Sequence, residues 1–157
     1  GIAQGKTCPT PVAGVDIVPT IFSFAGLDLP WEMHGHDLTP LLKNPQADWP
    51  HQMMLTATGR TYGTATSTIP TGDDLLHNGV PWYVMLNDGR YKYIRPLVEN
   101  DLEELYDLKL DPEELDNLAV KPKFREPLKR FRAAAVAELK RTNAGFVNNM
   151  PTIREGS

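Results

Sequence analysis

Four side chains in one stretch have types suited to holding an anionic or hydroxylated ligand: Arg60, Asp73, Asp74 and His77. A guanidinium such as Arg60 pairs in fork geometry with a sulfate or carboxylate. An imidazole such as His77 hydrogen-bonds a hydroxyl or a leaving group. Asp73 and Asp74 can accept hydrogen bonds, or simply solvate an exposed turn. A second group, His34-Gly35-His36-Asp37, places two imidazoles and a carboxylate within four residues. It has no further partner cluster of the kind a metal site needs, so a structural or surface role is the expectation. Asp101, Glu103 and Glu104 form an acidic loop expected to be solvated. Tyr91 and Tyr93 are expected on one face of a half-buried strand, with Lys92 solvated on the other. Cys8 is the single cysteine, which excludes an internal disulfide framework and a multi-cysteine zinc site.

These residues need a scaffold, and composition limits its kind. The 157 residues are 41% hydrophobic and 23% charged, within the range of a folded globular chain. Fourteen prolines, about 9% against roughly 5% on average, rule out a long helical bundle. The net charge of −4 lacks the footprint of a general nucleic-acid binder. No apolar run approaches the roughly 20 residues that cross a bilayer.

Punctuation divides the chain. Asp16 to Gly26 reads as a short, buried helix with Asp16 as cap, Pro19 in the first turn and Gly26 as stop. Ile17, Val18, Ile21, Phe22 and Ala25 fall at helical spacing. Asp37 to Lys43 reads as a single helical turn capped by Asp37. Gln52–Thr56 can form a strand. Thr58 to Gly79 shows little periodicity and is predicted to be a long loop, of a length that is more often functional or mobile. Trp82–Leu86 and Tyr91–Ile94 flank Asn87-Asp88-Gly89-Arg90, a strong hairpin signal. Glu104–Leu108 is a third strand, and Asp111 caps a turn at Pro112–Leu115. Phe124, Leu128, Phe131, Ala135 and Leu139 make one apolar stripe on a helix from about Lys123 to Thr142. Glu126 and Arg130 are spaced for an i,i+4 pair on it. From Gly145 a tail follows, anchored by Phe146 and Met150. The fold class is α+β: a small antiparallel sheet packed by a C-terminal amphipathic helix.

Three stretches in this order carry a likeness to a known family. They are Pro11-Val12-Ala13-Gly14-Val15-Asp16-Ile17-Val18-Pro19-Thr20-Ile21 with Ala25-Gly26; His34-Gly35-His36-Asp37-Leu38-Thr39-Pro40-Leu41-Leu42; and Asp88-Gly89-Arg90-Tyr91-Lys92-Tyr93-Ile94 with Glu104–Leu108, Asp111–Glu114 and Asn117-Leu118-Ala119. Together they resemble the C-terminal region of the formylglycine-dependent (type I) sulfatases, in the alkaline-phosphatase-like superfamily. The resemblance implies that residues 1–45 are the tail end of an α/β catalytic core. Residues 46–144 would be the terminal sheet-and-helix subdomain, and 145–157 a tail.

The chain opens Gly1-Ile2-Ala3-Gln4, without an initiator Met or a signal segment. The resemblance favours reading it as a piece of a longer enzyme. Such an enzyme would use a formylglycine hydrate and Ca²⁺ on a sulfated carbohydrate or aryl sulfate, in the periplasm or outside the cell. Formylglycine arises in a Cys/Ser-x-Pro-x-Arg motif. In Cys8-Pro9-Thr10-Pro11-Val12, Thr10 stands in place of the proline and Val12 in place of the arginine. Cys8 is therefore not the nucleophile, no catalytic or metal residue is assigned, and the chain alone is expected to be inactive. Arg60, Asp73, Asp74 and His77 become candidates for one wall of the substrate cleft, and an apolar face around Ile17, Ile21 and Phe22 is expected where the rest of the core docks. A stand-alone binding module and a related phosphonate or phosphodiester hydrolase are the alternatives.

Overall fold

Leu128, Phe131, Ala135 and Leu139 form the buried stripe of the longest helix, as their spacing predicts. In the computed structural model this helix spans Arg125–Arg141, entered through a 3-10 turn at Pro122–Phe124. The structure describes residues 1–57 and 68–154, with the backbone alone for Ala57 and His77. In chain order the helices are α1 (Ile17–Ala25), α2 (Thr39–Lys43) and α3 (Arg125–Arg141). The strands are β1 (Met53–Ala57), β2 (Leu76–His77), β3 (Val80–Pro81), β4 (Tyr83–Asn87), β5 (Tyr91–Pro96) and β6 (Glu104–Asp107). Two units divide the chain, Gly1–Met53 and Met54–Ser157. Among the described residues no helix is long and apolar enough to cross a membrane.

The second unit is the four-stranded antiparallel sheet, in the order β1-β4-β5-β6, with α3 packed against it. Register is set at the Asp-Gly turn. There Asn87 accepts from the Gly89 amide (2.8 Å), Asp88 accepts from the Tyr91 amide (2.7 Å), and Gly89 takes φ +93°. Val84, Leu86, Tyr93 and Leu105 consequently face the α3 stripe, and the rings of Tyr93 and Phe131 stack at 5.8 Å. Phe146 is buried and Met150 packs on the core, so the tail is anchored as expected. It continues as an extended segment, where Ile153 bridges Asp101 in parallel and Arg95 donates to the Pro151 carbonyl at 2.9 Å. The expected Glu126–Arg130 pair is not made. Glu126 bonds Lys129 instead, and Arg130 reaches Asp88 at 3.4 Å, because the hairpin turn brings a carboxylate within its reach.

The first unit is organised by a buried carboxylate. Asp16 accepts from the amides of Ala13 and His36, both at 2.8 Å. Its side chain is thus a bridge between two loops, and not the helix cap that its position suggests. Thr20 extends the bridge, donating to the Asp16 carbonyl (2.6 Å) and accepting from the Leu38 amide (2.9 Å). The crossing is close enough that a Cβ on Gly35 would lie 2.0 Å from the Val15 carbonyl oxygen. Helix α1 ends at Gly26 in the left-handed region (φ +65°). The cap position of α2 is Leu38 and not the expected Asp37, whose carboxylate lies one residue earlier and accepts from the Thr39 amide (2.8 Å) in a local turn.

Within α1 only Pro19 and Thr20 are buried. Ile17, Val18, Ile21 and Phe24 are exposed, which corrects the expectation of a buried helix. The apolar spacing is real, and the face expected around Ile17, Ile21 and Phe22 is exposed at the first two and half-buried at Phe22.

Candidate functional site

The segment 68–79, expected to be irregular, contains a second small hairpin. Leu76 pairs with Pro81 and His77 with Val80. Asn78 (φ +52°) and Gly79 (φ +79°) form the link, the two left-handed residues that a tight type I′ turn requires. Asn-Gly is a strong local signal for that turn, and it corrects the loop reading. The hairpin is rooted in the second unit: Leu75 packs on the core, and the Trp82 amide donates to the Leu75 carbonyl at 3.0 Å.

Asp73 and Asp74 sit on the exposed 3-10 turn Gly72–Leu75 that leads into β2. The structure therefore gathers Asp73, Asp74 and the His77 backbone on one rooted projection, with Val80 half-exposed across from His77. Arg60 lies outside the described residues. The exposed carboxylates can accept hydrogen bonds from ligand hydroxyls or disfavour a second negative charge nearby.

The histidines of the His34–Asp37 segment are used differently. The His36 ring stacks on His51 with centroids 3.6 Å apart, and Trp49 meets His51 edge-on at 4.8 Å. His36 Nδ1 lies 3.6 Å from Asp16. Stacked rings do not converge their lone pairs on one point. Among the described residues no three His, Cys, Asp or Glu side chains are grouped to hold a metal ion. Cys8 is a free, half-buried thiol.

The most connected polar group lies in the loop expected to be solvated. Glu103 is 2% exposed. Its carboxylate accepts from Arg132 Nε at 2.7 and 3.0 Å, from Arg132 Nη2, and from the Tyr93 hydroxyl. Burial, then the Glu103 charge and hydrogen bond, push the Tyr93 hydroxyl far above its ordinary value, so it stays protonated. Lys92 is likewise not free in solvent but bonds Glu114 at 2.7 and 2.9 Å. Glu104 accepts from Tyr106 at 2.9 Å. Sequence reasoning missed the Tyr93–Glu103–Arg132 group because its members are far apart in the chain and each has an ordinary surface explanation. The Glu103 carboxylate and the Tyr93 hydroxyl are partnered within the group, which suits it to hold α3 on the sheet.

No protein-family model matches the chain. It is 32% identical over 119 residues to a Delta 4,5-hexuronate-2-O-sulfatase of Bacteroides thetaiotaomicron, covering 76% of this chain and 22% of that protein. A solved 2-O GAG sulfatase superposes with a TM-score of 0.59 at 26% identity, over 85% of this chain and 26% of the other. A phosphonate monoester hydrolase from Silicibacter pomeroyi shares the fold, with a TM-score of 0.64 at 19% identity, over 94% of this chain and 28% of the other. The chain spans between a fifth and under a third of the length of the curated relatives it matches.

Proposed function

The chain is a partial homologue of the type I sulfatases, in the alkaline phosphatase superfamily, and on that premise we propose that it forms the C-terminal subdomain of such an enzyme. The complete enzyme hydrolyses sulfuric esters, on a sulfated carbohydrate or an aryl sulfate. This chain's share is to complete the fold and to present the Gly72–Pro81 projection, with Asp73, Asp74 and His77, as one wall of the substrate cleft; Arg60, outside the described residues, is proposed as a further contact to the same substrate.

One observation carries the reading. The second unit closes a hydrophobic core of its own, whereas α1 carries apolar residues over an arc of about 160° of its circumference and leaves Ile17, Val18, Ile21 and Phe24 exposed. A helix that is apolar over so wide an arc is suited to burial against further polypeptide. An α/β core supplies such cover, and a self-sufficient binding module has no use for the exposed face. The likeness to the phosphonate monoester hydrolase supports a second reading, a phosphonate or phosphodiester hydrolase with the same architecture.

Calcium and formylglycine do not fit the residues present. Cys8-Pro9-Thr10-Pro11-Val12 lacks the motif's proline and arginine, and the described residues offer no carboxylate cluster. Both groups would belong to other parts of the enzyme, and this chain alone is expected to leave a sulfate ester intact.

The test is the coding sequence upstream of Gly1 together with an assay. A Cys/Ser-x-Pro-x-Arg motif within a few hundred codons is expected, and a stop codon directly upstream of Gly1 overturns the reading. Robust turnover of a chromogenic sulfate ester by the purified 157-residue chain with calcium overturns the division of labour.

A further inference from the structure

Residues 121–132 hold six of the sixteen basic side chains of this acidic protein and one of its twenty acidic ones. They are Lys121, Lys123, Arg125, Lys129, Arg130 and Arg132, against Glu126. The rest of the chain, with ten basic and nineteen acidic residues, is strongly negative. Such an imbalance within twelve residues makes a local field that the net charge conceals.

The helix sorts these charges. Arg125, Lys129 and Arg132 fall at i, i+4 and i+7, along one side of α3 beside its buried stripe. At 1.5 Å per residue they span about 10 Å of the helix. Arg132 and its partner Glu103 line a recess whose other walls are Leu102, Leu128, Ala119 and Val120, and Arg154 stands at the same recess from the tail.

The acidic groups nearby are already engaged. Glu103 is buried on Tyr93 and Arg132, Glu126 bonds Lys129, and Asp116 bonds Lys121. Arg125 and Arg154 are exposed, and neither is in an ion pair among the described residues. The surface therefore presents Arg154, without an ion pair, at a partly apolar hollow, and Arg125 one helical turn before its wall residue Leu128.

We propose that this face, the N-terminal half of α3 with Arg154 across the recess, binds a sulfated polysaccharide. Guanidinium forks match sulfate and carboxylate oxygens, and the aliphatic walls suit the C–H faces of sugar rings. Nucleic acid fits less well. Phe131 is buried at 1% exposure, and Phe124 is half-buried with Lys123 over its ring, so the patch lacks an open platform for stacking bases. A lipid surface fits less well too, because the apolar stripe of α3 is sealed in the core. This site is independent of the catalytic reading, since it needs only the second unit.

The probe is a size-defined heparin dodecasaccharide, titrated calorimetrically into the full chain at low and at physiological salt. Binding that weakens with salt is expected. The triple variant R125Q/K129Q/R154Q should bind at least tenfold more weakly, with a shallower salt slope. The charge-matched K6Q/K43Q/K109Q should bind within twofold of the parent. R154Q alone, a change in an exposed tail residue, should lose about threefold, which keeps the test sound if the triple variant folds poorly. Absence of heparin binding at low salt, or equal loss in the control variant, overturns the proposal. So does equally tight binding of a DNA duplex of matched charge or of phosphatidylserine vesicles. Because no sulfatase turnover is measured, failure here leaves the subdomain reading standing, and the reverse also holds.

Discussion

Arg132 on α3 and Glu103 just before β6 are 29 residues apart in sequence and meet in a forked ion pair, with Nε at 2.7 and 3.0 Å from the two carboxylate oxygens. Glu103 is almost wholly buried, while Arg132 keeps about a quarter of its side chain exposed. This pair joins the helix to the sheet. Removing one partner of such a pair leaves a buried charge unmatched, which costs more than the pair itself contributes. R132A should therefore destabilise the protein by about 3 kcal/mol, whereas the double change R132M/E103L should cost far less. Urea denaturation of the three proteins measures the difference.

Tyr93 sets an alkaline limit. Its pKa is raised in the folded state, above the ordinary 10.0, so the folded chain holds the proton more tightly than the unfolded one. The associated stability is complete below about pH 10 and is lost as pH rises beyond it. Tyr106, pushed up to about 12 by burial and then by its hydrogen bond to Glu104, acts in the same direction. Y93F should cost about 1 kcal/mol at pH 7 and flatten the fall in melting temperature between pH 10 and 12.

Asp107 sets an acid limit of opposite sign. The hydrogen bonds from Arg90, with the amides of Lys109 and Leu110, hold its carboxyl below the usual 3.8. Its contribution is present above about pH 4 and is lost as pH falls below that value. Arg90 is more than half exposed, so solvent screens the pair. D107N should lower stability by about 1–2 kcal/mol at neutral pH and reduce the steepness of acid unfolding.

Gly35 has no room for a methyl group beside the Val15 carbonyl oxygen. G35A should displace the His36 amide from Asp16 and cost about 2 kcal/mol or more. Faster hydrogen exchange at the Ala13 and His36 amides, with the sheet amides unchanged, is the expected signature.

For the proposed cleft wall, D73N and D74N should change KM of the complete enzyme several-fold and leave melting temperature within about 1 °C, because both side chains are exposed. Unchanged kinetics in both variants, and in H77A, would remove this projection from the substrate's reach.

Elements with a local cause were legible in the sequence. The Asp88-Gly89 turn, the strands on either side and the α3 stripe each depend on contacts within a few residues, and all appear where expected. The Asn78-Gly79 hairpin was equally local, but two-residue strands are too short to show a period of two. Arg60, Asp73, Asp74 and His77 were selected by residue type. The fold places two of them with the His77 backbone on one projection, while Arg60 lies outside the described residues.

By itself, the sequence determined the α+β class, the hairpin register and the failure of Cys8 to match a formylglycine motif, because these follow from spacing and residue identity. Tertiary structure alone decided the fate of the charged residues. Asp16 became a buried bridge, Glu103 a buried partner of Arg132, and Arg125 remained exposed without an ion pair among the described residues. A carboxylate's role depends on which donors reach it and how much water is excluded around it. For Asp16 the His36 amide, and for Glu103 the Arg132 guanidinium, come from segments 20 or more residues away, beyond the range of any local pattern.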